Sequence, residues 1–148
     1  MNVARIALLV QLGSTLPLVG LIWLVQIVAY PLFAEVGAAE FLLYHAAHAR
    51  LITFVVGPLM VAELASAVLL VFVEHPALPR PLALLGAALA AATWAITMFV
   101  SVPRHELLAH GFSAHVHAML VATNWLRTAA WTFRGGLLLA VVDRALRP

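Results

Sequence analysis

Six of the seven histidines of this 148-residue chain gather around two stretches, and they are the side chains with the most chemistry to offer. In "YHAAHAR", His45 and His48 stand at i, i+3, on one face of a helix, so both imidazoles can reach one ion. In "VPRHELLAHGFSAHVHA", His115 and His117 stand at i, i+2 and can share an ion only where the turn is not yet regular helix. Imidazole-rich sites without thiolate suit zinc, copper or iron, and open coordination positions suit oxygen chemistry. His45, His48, His105, His115 and His117 are therefore the candidate metal ligands. The plainer reading is that histidines favour membrane interfaces and that two loops hold most of the polar residues. No CxxCH exists for covalent haem attachment, and the only aspartate, Asp143, lies far from the histidines, which leaves Ser/His/Asp hydrolysis unsupported.

The rest of the chain has to position these groups inside a very apolar molecule. Hydrophobic residues make up 65% of the sequence and charged residues 9%, against roughly 25% charged in ordinary soluble domains. With a mean hydropathy of +1.07, the chain reads as an integral membrane protein of one domain, residues 1–148. Four spans are expected, at about 6–33, 45–73, 82–102 and 114–142, closed by Pro31 and Gly37, by "EHPALPRP", by Pro103 and by the "RALRP" tail. Lipid demands that each span pair its own backbone, so the expected fold is all-α, an integral membrane antiparallel four-helix bundle. The eight basic residues are all arginines, scattered singly, which excludes a nucleic-acid face despite a pI near 9.9. Without cysteine there are no disulfides, thiolate sites or cysteine nucleophiles. Arg5, Arg80, Arg144 and Arg147 fall on the side of the termini and Arg50 and Arg104 on the other, so both termini are expected in the cytoplasm, with the protein in an inner or cytoplasmic membrane.

Polar residues inside the spans set the second group of candidates. Glu63 lies 13 residues past Arg50, roughly 20 Å of helix, and Arg127 lies 12 residues past His115, roughly 18 Å. Opposite charges at matching depth are expected to pair, because an unpaired charge at mid-bilayer is expensive. The bland alternative is that such a pair fixes helix register and does nothing more. On the fourth span, His117, Asn124, Arg127 or Thr128, Trp131 and Arg134 recur at spacings of three, four and seven, one stripe that must face other helices. Gln26 and Tyr30, at i, i+4, and Thr93, Thr97 and Ser101, at i, i+4, i+8, add inward positions, although threonines in membrane helices commonly bond their own backbone. Arg134 and the tryptophans also read as interface anchors.

"VPRHELL" followed by "LVATNWLRTAAW" resembles the C-terminal half of the anthrone oxygenase-like family of small four-helix membrane proteins. Val102, Pro103, Leu107, Asn124, Arg127 and Thr128 carry the resemblance, over about a third of the chain. His105 stands near a family asparagine, and "YHAAHAR" has no family counterpart. The resemblance implies oxidation of an aromatic, phenol-like substrate by oxygen within the membrane.

The function expected is thus a membrane oxidoreductase, monooxygenase-like, acting on an apolar aromatic or quinone-like molecule. Glu63, Asn124 and Arg127 are the catalytic candidates. Gln26, Tyr30, Thr97, Thr128 and Trp131 would bind substrate, with a copper, iron or zinc ion on the histidines of the non-cytoplasmic face. A buried arginine would stabilise an oxyanion developing on a phenol. The alternative is a protein without enzymatic activity, either an accessory subunit of a membrane complex or a small metal-handling or transport protein. The expected partners are the lipid bilayer, a small apolar ligand, and further protomers or a larger membrane complex, which the small-residue run from Gly86 to Ala92 would let approach closely.

Overall fold

The computed structural model describes residues 2–147, which are all-helical. Helix α1 (Val3–Leu24) opens on Asn2, whose side-chain oxygen accepts from the Arg5 amide at 2.9 Å. It continues through a π turn (Val25–Ala29) and a 3₁₀ turn (Pro31–Glu35). Helix α2 covers Phe41–Phe72 and α3 covers Arg80–Ile96. A second π turn (Thr97–Ser101) leads into the short α4 (Val102–Leu108), and α5 runs from Ala114 to Leu146. Gly111, at φ 142°, makes the turn before α5, and Ser113 caps α5 through the Val116 amide. A side chain at Gly111 would strain that turn.

Both π turns sit just upstream of a proline. Proline lacks an N–H and its ring collides with the carbonyl four residues back. The helix widens instead of breaking: Tyr30 donates to Val25 O at 3.0 Å and Val102 donates to Thr97 O, both five residues back. The expected stop at Pro103 is therefore absent. Pro103 falls in the first turn of α4, where proline is tolerated, and the helical path continues to Leu108.

Three helical segments, Val3–Glu35, Phe41–Phe72 and Arg80–Leu108, are long and apolar enough to cross a membrane. Helix α5 has the length but is not among them. Its stretch carries Asn124, Arg127 and Arg134, and all three are buried against other helices. The outer surface is correspondingly apolar, with Phe54, Phe72 and Phe99 exposed, as lipid contact requires.

Consecutive segments alternate in direction. One apolar cluster joins the start of α1 (Ala7, Leu8), the end of α2 (Leu70), the following turn (Ala77, Leu78), the start of α3 (Ala83) and the end of α5 (Leu138, Val141). The other cluster joins the opposite ends, through Ile22, Phe33, Phe41, Leu108 and Leu120. Helices α1 and α5 approach closely at Gly135, where an added Cβ would meet Val19 Cγ2 at 3.0 Å. The neighbouring Gly136 faces open space. Gly136→Ala should therefore raise stability by roughly 0.5–1 kcal/mol, whereas Gly135→Leu should cost about 1–3 kcal/mol through overpacking. Unfolding of the detergent-solubilised variants, followed by circular dichroism, checks the pair. Equal responses at both positions would remove the proposed close approach.

Candidate functional site

Glu63 does not pair with Arg127. Its carboxylate is fully buried and accepts from Thr15 Oγ1 of α1 (2.9 Å), Trp131 Nε1 (3.0 Å) and Arg134 Nε (3.0 Å) of α5. Arg134 also donates to the Gly86 carbonyl of α3, and Thr15 accepts from Gln11 Nε2 at 2.8 Å. Arg134 is thus a core ion-pair partner rather than an interface anchor. Counting depth from Arg50 and His115 missed this because side chains on a helix lean toward its N-terminus. A long arginine side chain two turns further along α5 is able to reach back to the carboxylate.

Arg127 is left without a carboxylate partner. Its NH1 donates to Asn124 Oδ1 at 3.2 Å, its guanidinium lies 5.1 Å from the Trp131 ring centroid, and its Nε is buried without a hydrogen-bond partner. Asn124 in turn donates to Gln26 Oε1 at 2.9 Å, and Thr128 packs into the same group. Gln26, Asn124 and Thr128 therefore stand behind Arg127 as a hydrogen-bonded support. Thr93 and Thr97 bond carbonyls of their own helix, as threonines in apolar helices commonly do.

Arg127 borders a cavity of about 270 Å³. Apolar walls come from α1 (Leu18, Ile22), α2 (Val56, Met60) and the α3 segment (Trp94, Met98), with Trp94 Nε1 tying the far end to the Met60 carbonyl at 3.2 Å. Its polar groups include Tyr30, Thr97, Ser101, His105 and Arg127. Thr53 and Met98, both exposed, lie on its rim between α2 and the second π turn. The opening is lateral. Glu63, Gln26, Asn124 and Thr128 do not border the cavity.

At the histidine end a hydrogen-bonded chain lies on the cavity wall. Tyr30 Oη is 2.8 Å from His105 Nε2, and His105 Nδ1 is 3.0 Å from His45 Nε2. Two proton arrangements satisfy it: Tyr30 donates to His105 and His105 to His45, or both bonds run in reverse. His105 is shared with a second cleft between α2 and α4, which His45 also borders.

The five-histidine metal centre is not assembled. Among the described residues, no group of three or more His, Cys, Asp or Glu side chains is disposed to hold one metal ion. Tyr30 and His45 occupy both ring nitrogens of His105, His117 Nε2 lies 2.7 Å from the Tyr30 carbonyl, and His115 is exposed. His45, His48, His105 and His117 instead surround Phe33, with ring centroids 4.9–6.4 Å from it. Phe33 is fully buried because the 3₁₀ turn after Pro31 folds it inward. Neither Phe33 nor Thr15 stood out in the sequence, although the "AYP" and "SVP" tripeptides mark where Tyr30 and His105 are turned inward.

Compared with family models, with curated proteins and with solved structures, the chain gives no match. The resemblance described above therefore rests on its quoted residues. Of these, Val102 and Arg127 border the cavity, and Asn124 and Thr128 support Arg127.

The buried charged side chains among the described residues are one carboxylate, Glu63, and two guanidiniums, Arg127 and Arg134. An unpaired charge in the apolar interior costs at least ~2.5–3.5 kcal/mol, of which the Trp131 ring returns roughly 0.5–2 kcal/mol. The two arginines should then respond with opposite signs. Arg134→Met should destabilise by about 3–5 kcal/mol because it strands Glu63, whereas Arg127→Met should be neutral or stabilising. Comparable losses in the unfolding transitions of the two variants would show that Arg127 is a structural cation.

Proposed function

We propose that this protein is an integral membrane antiparallel four-helix bundle whose lateral cavity binds an apolar aromatic, phenol- or quinone-like molecule and oxidises it with oxygen. The observation that carries this reading is the Tyr30–His105–His45 chain on the cavity wall, ending in a separate cleft. Oxidation of a phenol or quinol requires removal of its hydroxyl proton. A chain with two self-consistent proton arrangements is suited to take that proton from the cavity. His105 is the residue assigned to proton transfer, and Tyr30 is its contact with substrate. Thr97 and Trp131 shape the pocket, and Gln26, Asn124 and Thr128 hold Arg127 in place. Glu63 is a structural anchor in this reading.

Helix α5 is then the inner helix of the bundle, shielded from lipid on its polar stripe by the other three. The accessory-subunit alternative needs the space beside Arg127 to be filled with side chains, and the open cavity favours a ligand there. A metal-handling role has less support, because the histidine nitrogens of the chain are engaged with each other and with Tyr30.

The test is oxygen uptake by the purified protein in lipid vesicles with a panel of membrane-soluble phenols and quinols. His105→Gln should lower turnover about 10²-fold or more, while ligand binding, read by quenching of tryptophan fluorescence, persists. Gly57 borders the cavity, and a Cβ there meets only Thr53 Cγ2 of its own helix at 4.0 Å. Gly57→Leu should therefore fill the cavity and abolish binding without unfolding the protein. Uptake that survives His105→Gln would end the assignment, and binding without uptake in the wild type would leave a ligand carrier in place of an enzyme.

A further inference from the structure

The charges buried among the described residues do not balance. Glu63 is committed to Arg134, Trp131 and Thr15, so Arg127, which borders the cavity, has no countercharge. The groups around it from the packed elements are neutral hydrogen-bonding or aromatic ones: Asn124 and Trp131 on α5, Tyr30 after α1, and His105 on α4, whose ring bonds to Tyr30 and His45. Helix α2 offers Glu63 as its only buried carboxylate, and that one is taken. The Arg127 side chain is 6% exposed, its Nε has no partner, and the cavity beside it has apolar walls.

We propose that the cavity takes its ligand as an anion, an amphiphile with an apolar body and one ionised phenolic oxygen held against Arg127. This deepens the proposed function and rests on its reading of the cavity as the ligand site. The apolar body lies along Leu18, Ile22, Val56 and Met60, and the oxygen sits at the Arg127 end. Ionisation on binding is balanced by one proton. The ligand O–H bond breaks, and its electron pair stays on oxygen beside the guanidinium. Tyr30 receives the proton as it hands its own to His105 Nε2. The Nδ1 proton of His105 then passes to His45 Nε2 at the α2–α4 cleft. Arg127 thus selects the charge state of the ligand before any oxygen chemistry begins.

A chromogenic probe tests this without requiring turnover. An alkylated nitrophenol, whose phenolate absorbs at longer wavelength than the neutral form, is titrated into the full chain in non-ionic detergent. The pH is held below that at which the probe ionises in protein-free micelles. Its methyl ether, which cannot ionise, is titrated in parallel, and both are read by tryptophan quenching. The wild type should show the phenolate band and bind the phenol at least about tenfold tighter than the ether, a difference of ~1.4 kcal/mol. Arg127→Gln should lose the band and the preference while binding the ether as the wild type does, and Arg127→Lys should keep the band. Should Arg127→Gln fail to fold, the wild-type band and phenol-to-ether ratio decide alone. Saturable binding of the phenol in its neutral form, or a band that persists in a folded Arg127→Gln variant, overturns the inference and leaves the cavity a ligand site. Absence of saturable binding for both probes overturns the inference together with the proposed function.

Discussion

Glu63 ties every long segment of the molecule to one point. It stands on α2, Thr15 reaches it from α1, and Trp131 and Arg134 reach it from α5. Arg134 carries the connection on to α3 through the Gly86 carbonyl. A carboxylate with no access to water cannot give up these partners cheaply, because each would leave a buried polar group unsatisfied. The rotation and depth of all four segments are therefore set at this level. Seven residues separate Arg134 from Arg127, about 10 Å along α5, and that spacing places the second guanidinium beside the cavity instead of beside the carboxylate.

The two halves of the molecule are built differently in consequence. Around the termini Leu8, Leu70, Leu138 and Val141 form one apolar cluster. Beyond Glu63 the segments part between α2 and the second π turn, and the cavity occupies the gap. Trp94 closes its inner end through the Met60 carbonyl, while the exposed Met98 and Thr53 lie on its rim.

Proline placement turns this gap into a site. Pro31 and Pro103 each force a widened turn just upstream, and such turns recur at functional positions in helical proteins. Tyr30 precedes the first proline and His105 follows the second by two residues, so the two distortions bring the phenol and the imidazole to 2.8 Å. The buried ring of Phe33 stands among His45, His48 and His117, so these histidines surround an aromatic centre. Of the histidines around it, His45, His105 and His117 are engaged in hydrogen bonds.

Composition and period alone determined that the chain is helical and that most of its surface is apolar, because hydropathy over a window of residues needs no knowledge of neighbours. They also determined that Asn124, Arg127, Trp131 and Arg134 share an inward stripe, since 3.6-residue spacing is a property of one helix. Which guanidinium meets Glu63 was decided only in the tertiary structure, where a relative slide of two helical turns exchanges one arginine for the other. The same holds for the histidines. Their clustering at one end is visible along the chain, but whether imidazoles converge on an ion or bond to each other depends on ångström-level placement across three helices. Thr15 and Phe33 could not be distinguished from other apolar-segment residues, because their roles come entirely from what α2, α4 and α5 bring against them.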